Sequence, residues 1–264
     1  LSGSILVFDS GIGGLSVLAE IKKSLPLHQY IYLFDNARLP YGELADQALI
    51  DGCVELIVKQ VKLHKVAIVV IACNTASTLV LPALRAALTI PVVGVVPAIK
   101  PAALISRNQH IALLATPATV KRTYTDKLIN QFAADCQVER LGSSELVLLA
   151  EQQAAGQEIA QQQYIDILRP LSDTEVDVVV LGCTHFPMIR EQIAACFKKQ
   201  VILLDSGQAI ANRVCYLLAN EHVSQIKEED IAYFTRADID EGLAKTLSEY
   251  GFTAWQHIEP YSAM

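Results

Sequence analysis

The chain has 264 residues, 52% hydrophobic and 19% charged, with a formal net charge of −7. A length of this kind suits about two domains of ~150 residues each. The acid excess and the lack of any Lys/Arg cluster exclude a nucleic-acid surface as the default reading, and no apolar run reaches the ~18 to 20 residues of a membrane helix.

The first apolar run begins at Ile5, with no basic region or small-residue cleavage site before it, so no signal peptide is read and a cytoplasmic location is expected. Short runs rich in Val, Ile and Leu then follow in order: Ile5–Phe8, Ile31–Phe34, Val66–Ala72, Val92–Val96, Ile111–Ala115, Val138–Leu141, Val176–Leu181 and Val201–Leu204. They are continuous rather than alternating, which predicts strands buried on both faces of a parallel sheet. Between them lie amphipathic helical stretches at Leu15–Leu25, Asp46–His64, Thr119–Ala134 and Phe186–Lys198, and Ala76–Ala87 reads as helical despite Pro82. Strand and helix alternating in this way predict an α/β fold.

Two passages echo each other. Val69-Val70-Ile71-Ala72-Cys73-Asn74-Thr75-Ala76 is similar to Val179-Val180-Leu181-Gly182-Cys183-Thr184-His185-Phe186, and Phe8-Asp9-Ser10-Gly11 to Leu204-Asp205-Ser206-Gly207. Two similar α/β units, each ending a strand in a cysteine, would account for this. The three prolines of Pro91–Pro101 mark one crossing between the units and Val201–Gly207 a second. The expected division is therefore a discontinuous first domain, 1–95 plus 206–264, and a second domain, 96–205. Each is a mostly parallel sheet flanked by helices, with the site in the cleft between them.

Ligands of open parallel sheets bind outside the carboxyl ends of the strands. The polar residues at those ends are Asp9 and Ser10, Asp35 and Asn36, Cys73 to Thr75, and Cys183 to His185. The six cysteines contain no CxxC pair, so zinc and thioredoxin readings lose their signature. A cysteine closing a strand is often only a small buried residue, but here both have polar neighbours. Thr75 is placed to cap the helix after Cys73, and a thiol at a helix N-terminus is expected to favour thiolate. Pro187 suits a first helical turn after Cys183. Two thiols from facing domains suit inversion of a stereocentre bearing one hydrogen, one as base and the other as acid, because the reference thiol pKa of ~8.5 is within reach of neutral pH. Asp9 reads either as the partner of Cys73 or as a cap on the Gly11–Gly14 turn; His185 reads either as the partner of Cys183 or as a capping histidine. Gly11-Ile12-Gly13-Gly14 lacks dinucleotide and Walker spacing and is expected to expose backbone N–H groups to a carboxylate. Pro40-Tyr41-Gly42 reads on its own as a Pro/Gly turn.

Together, Phe8-Asp9-Ser10-Gly11-Ile12-Gly13-Gly14, Pro40-Tyr41-Gly42, Ala72-Cys73-Asn74-Thr75-Ala76 and Gly182-Cys183-Thr184-His185-Phe186-Pro187 resemble the glutamate racemase family, as do Pro91 to Ala98, Asp205-Ser206-Gly207 and Phe234-Thr235-Arg236-Ala237-Asp238. The resemblance implies interconversion of L- and D-glutamate without pyridoxal phosphate or metal, supplying D-glutamate for peptidoglycan in the bacterial cytoplasm. It implies that Cys73 takes the proton from D-glutamate and Cys183 from L-glutamate, assisted by Asp9 and His185, with Glu151 a further acidic residue near the site. By the same resemblance Asp9, Ser10, Tyr41, Gly42, Asn74, Thr75, Thr184 and His185 bind substrate. Leu81 to Arg85, Ala98 to Ala102 and Thr119 to Arg122 are most similar to the Gram-negative branch, implying UDP-N-acetylmuramoyl-L-alanine as activator. A homodimer is the default assembly, two-fold dimers being commonest. Rival readings are an aspartate or hydantoin racemase, a two-domain ligand-binding protein, and a redox protein pairing Cys73 with Cys183.

Overall fold

All eight apolar runs form strands in the computed structural model, which describes residues 3–220 and 227–261. They are β1 Ser4–Asp9, β2 Tyr30–Phe34, β3 Val66–Ile71, β4 Val92–Gly94, β5 His110–Ala115, β6 Gln137–Gly142, β7 Val178–Leu181 and β8 Ile202–Leu204. Two strands outside the expected set follow, β9 Ile231–Phe234 and β10 Ala254–His257. The helices are α1 Gly14–Ser24, α2 Asp46–Leu63, α3 Asn74–Ser77, α4 Leu81–Ala87, α5 Ile99–Ile105, α6 Pro117–Lys121, α7 Thr123–Phe132, α8 Glu145–Ala154, α9 Gln161–Ser172, α10 Arg190–Ala194, α11 Gly207–Leu218 and α12 Glu241–Glu249.

Three helical expectations change. The stretch from Ala76 to Ala87 is two helices: α4 starts afresh at Leu81, with Pro82 in its first turn, where the missing N–H costs nothing. The stretch from Thr119 is also two, because Arg122 adopts extended backbone between α6 and α7. The stretch from Phe186 opens as a 3-10 turn over Phe186–Ile189, and α10 ends at Ala194.

The strands form two sheets, in the orders β10-β9-β2-β1-β3-β4 and β6-β5-β7-β8. Every pairing is parallel. The inner run β2-β1-β3-β4 has the same order as the whole second sheet, so β1 corresponds to β5 and β3 to β7. Cys73 follows β3 and Cys183 follows β7, which makes their echo a structural one. The second echo is not: Asp9 closes β1, whose counterpart β5 leads to Thr116, whereas Asp205 follows the edge strand β8. That likeness is a coincidence of short polar turns.

Each sheet is apolar on both faces. In the first, Ile5, Val7, Tyr32 and Val70 pack with Leu18 of α1 and Val214 of α11, while Leu6, Phe8, Leu33 and Val69 pack with Leu56 of α2 and Leu84 of α4. In the second, Ala112, Leu114 and Val179 meet Leu149 and Leu168 of α8 and α9, and Ile111, Leu113 and Val180 meet Ala102 and Ile129 of α5 and α7. Fully burying one such Val, Leu or Ile contributes about 1.5–3 kcal/mol, so this double burial fixes the strands and leaves their polar ends at one rim. The first sheet draws on residues 4–94 and 231–257, the second on 110–204. The expected outer limits of the first domain, residues 1 and 264, lie outside the described residues. Among the described residues no helix is long and apolar enough to cross a membrane.

Candidate active site

The carboxyl ends of β1, β3 and β7 bring Asp9, Ser10, Cys73, Asn74, Thr75, Cys183, Thr184 and His185 together, all buried. Cys73 stands at the cap position of α3, whose four residues are all buried. Thr75 does not cap that helix; its hydroxyl pairs with Thr116 Oγ1 at 2.9 Å, across to the second sheet. Thr116 was not singled out from the sequence, although a strand-end Thr followed by Pro is a helix-start signal. It is the N-cap of α6, accepting from the Thr119 N–H at 3.3 Å.

Cys73 Sγ lies 3.8 Å from Ser10 Oγ. Burial pushes its thiol well above the ordinary range and the Asp9 charge adds to this; the Ala76 amide opposes, the Cys183 charge raises it further and Ser10 opposes. The expected drift toward thiolate at a helix N-terminus is therefore outweighed: one short helix cannot offset full burial beside a carboxylate. Asp9 fills both of its candidate roles. Its Oδ2 accepts the Gly14 N–H at 2.6 Å and the Thr184 hydroxyl at 3.4 Å, and its carboxyl also engages Cys73. Burial raises its pKa to about 6, against the His185 charge, the Ser10 and Gly14 amides and the Cys73 contact, which lower it.

Around Cys183 the chemistry differs. Its Sγ is 3.7 Å from His185 Nδ1, and His185 Nε2 is 2.6 Å from Glu151 Oε1. Burial alone would lower the His185 pKa, but the hydrogen bonds and charges of Cys183 and Glu151 outweigh it, so the net direction is well upward. Glu151 comes from α8, and its Oε1 also accepts the Ile12 N–H at 2.8 Å, joining the second unit to the glycine turn of the first.

That turn is glycine-rich because His185 and Glu151 press against it. A Cβ on Gly13 would lie 2.5 Å from His185 Nδ1 and 2.6 Å from the His185 backbone nitrogen, and one on Gly11 would lie 1.9 Å from Glu151 Oε1. Two of the amides expected to face a carboxylate are already committed, Ile12 to Glu151 and Gly14 to Asp9.

Tyr41 is buried with its hydroxyl donating to Asp35 Oδ2 at 2.6 Å and accepting from the Cys53 thiol at 3.6 Å. Gly42 faces Thr116, where an added Cβ would stand 3.5 Å from the Thr116 Cβ. Further bridges between the units are Ser16 Oγ donating to the Thr184 carbonyl at 2.9 Å and Arg122 gripping Asp46 through its two terminal guanidinium nitrogens at 2.6 Å each. A small cavity is lined in part by Asn74, Cys183, Thr184, Pro187, Asp205 and Ser206; Cys73 is not among its walls. Asp9 Oδ1 and Asn74 Nδ2 are buried without a hydrogen-bond partner, and such groups in a cleft mark a place for a ligand. All six cysteines are free thiols. Asp9 stands beside the first sulfur and a His–Glu pair beside the second, and each is a group able to exchange a proton with its thiol.

Residues 14–214 match the Asp/Glu/hydantoin racemase family. The chain is 59% identical to a glutamate racemase of Shewanella sp. (strain ANA-3), covering 98% of this chain and 97% of that one. It is similar to the crystal structure of Escherichia coli glutamate racemase in complex with L-glutamate and the activator UDP-MurNAc-Ala, with TM-score 0.93, 43% identity and coverage of 99% and 100%. A glutamate racemase from Francisella tularensis, solved with D-glutamate, gives TM-score 0.79 at 26% identity, covering 99% of this chain and 98% of that one.

Proposed function

The chain belongs to the Asp/Glu/hydantoin racemase family, and on that premise we propose that it interconverts L- and D-glutamate by proton transfer between two cysteines. The observation that carries this reading is the placing of two thiols at equivalent strand ends of two sheets, each with its own acid–base partner.

In the D to L direction, Asp9 accepts the Cys73 proton and the resulting thiolate takes the α-hydrogen. Cys183 delivers a proton to the opposite face. In the reverse direction His185 accepts the Cys183 proton, Glu151 stabilises the imidazolium so formed, the Cys183 thiolate takes the α-hydrogen, and Cys73 is the acid. Asp9, with a pKa of about 6, is mostly ionised at neutral pH yet close enough to it to take up a proton. The α-hydrogen is a weak acid, so the carbanion needs charge stabilisation from fixed donors. Ser10, Asn74, Thr75 and Thr184 are the side chains placed to supply it, and preorganised donors of this kind contribute ~3–4 kcal/mol each in acyl-transfer enzymes. Asn74 Nδ2, a buried donor with its hydrogens uncommitted, suits the α-carboxylate. Tyr41 and Gly42 form a wall against Thr116, and residues 1–95 with 206–264 and residues 96–205 act as the two domains that bracket the cleft.

The product would serve peptidoglycan synthesis, and UDP-N-acetylmuramoyl-L-alanine would activate the enzyme, as its likeness to the E. coli protein supports. The test is to incubate purified protein with L-glutamate, and separately with L-aspartate, with no added cofactor, and to follow the enantiomers by chiral chromatography. D-glutamate should form; its absence, or preferential formation of D-aspartate, overturns the reading. Adding the precursor should raise turnover, and an unchanged rate removes the activator.

A further inference from the structure

The C-terminal motif Phe234-Thr235-Arg236 takes no part in the chemistry above, yet it is built into the site from behind. Because β9 pairs with β2, Thr235 emerges beside Asp35 and Asn36. Its hydroxyl donates to Asp35 Oδ1 at 2.7 Å and accepts the Ala37 N–H at 3.0 Å. Asn36 Oδ1 accepts the Thr235 and Arg236 N–H groups at 3.1 and 2.9 Å. The other carboxylate oxygen of Asp35 accepts the Tyr41 hydroxyl and the Arg38 Nε, each at 2.6 Å. One fully buried carboxylate thus holds both ends of the loop that runs from β2 to Gly42. That loop abuts Thr116, whose hydroxyl meets Thr75, two residues after Cys73.

We infer that Thr235 is a positioning residue for racemisation: through Asp35 it sets the loop Asn36–Gly42, whose Gly42 meets Thr116 and, through it, Thr75 beside Cys73. This rests on the racemase reading and on the substrate contact of Tyr41 and Gly42 that the family resemblance implies. The side chain of Thr235 bonds to Asp35 and Ala37 and not to the acid–base groups of the mechanism, so its loss changes grip on substrate rather than proton transfer. A merely structural lesion would lower the fraction of active enzyme, and hence kcat, with KM unchanged.

Thr235→Val keeps the shape, deletes the hydroxyl and strands Asp35 Oδ1 and the Ala37 N–H. KM for both enantiomers should rise roughly tenfold, as expected for a buried hydrogen bond to a charged group, with kcat changed less than about threefold by the same reasoning. Thr235→Ser should restore the wild-type KM. Amide exchange should quicken in residues 36–42 and stay unchanged in β3. Should the valine variant not fold, Tyr41→Phe removes the other hydroxyl from the same carboxylate and should raise KM likewise. In the double variant the second deletion should add little, because both act through Asp35. A wild-type enzyme that racemises, with Thr235→Val or Tyr41→Phe matching it in KM, overturns the positioning role alone. A wild type that forms no D-glutamate overturns the racemase reading and this role with it.

Discussion

Cys73 and Cys183 occupy equivalent places in two sheets of matching strand order, yet they meet opposite company. Cys73 sits beside a carboxyl, and burial together with that charge drives its thiol upward. Cys183 sits beside an imidazole whose pKa the hydrogen bonds and charges of Cys183 and Glu151 push upward against burial. Topology repeats and electrostatics does not. The difference teaches that a reaction between mirror images does not need a mirror-symmetric site. On the two-thiol mechanism proposed above, it needs each sulfur to give up and regain a proton, and a buried carboxyl poised near neutral pH and an imidazole whose protonated form is stabilised are two routes to the same end.

The largest blow to this comparison is deletion of either thiol. Cys73→Ser and Cys183→Ser should each lower racemisation by about 10⁴-fold, the upper range of positioned acid–base catalysis. In deuterated water the wild type should place deuterium at Cα of the product from either enantiomer. Near-normal turnover in either variant, followed by chiral chromatography, would end the two-sulfur account.

The assistants come next, with Asp9→Asn and His185→Asn each expected to cost about 10²-fold. Because the two enantiomers are equally stable, kcat/KM must fall equally in both directions, and the asymmetry has to be sought elsewhere. It should appear as a larger α-deuterium isotope effect from D-glutamate in Asp9→Asn and from L-glutamate in His185→Asn. Equal effects from both sides would erase the distinction between the two halves.

Glu151→Gln probes the second half alone. The carboxylate helps raise the His185 pKa, so its loss should move the alkaline limb of the pH–rate profile to lower pH and reduce activity about tenfold near neutrality. An unmoved limb would mean that Glu151 serves only to tether Ile12.

The smallest effect is on stability. The Asp9 pKa rises from 3.8 to about 6 on folding. Native protein therefore binds this proton more tightly than unfolded chain does, and the stabilisation is full below pH ~4 and lost as pH climbs through ~6. The amount is on the order of 3 kcal/mol. In urea titrations between pH 4 and 7, Asp9→Asn should lack this downward trend. A wild type that gains stability from this group over that range would reverse the sign assigned to it.

Much of this was legible in the sequence because parallel strands buried on both faces read as continuous apolar runs, and each cysteine follows one directly. Strands β9 and β10 escaped notice for the converse reason. Ile231–Phe234 is four residues long and follows the charged stretch Lys227–Asp230, while Ala254–His257 lies at the sheet edge with Trp255 and Gln256 exposed. The glycines of the 11–14 turn were visible, but not that His185 and Glu151 fill the space they leave, since those partners come from the other sheet. The Asp35 network was invisible for the same cause: Thr235 reaches Asp35 only after the chain has crossed to the second sheet and returned. The Cys73 environment was misjudged because a helix end is readable in sequence and burial beside Asp9 is not.

The fit of Gly13 against His185 carries a consequence for control. The two thiols reside on different units, and a contact with no room for a methyl group sets how closely those units meet there. On the two-thiol reading proposed above, the spacing of the two sulfurs is in this sense a matter of shape at a glycine.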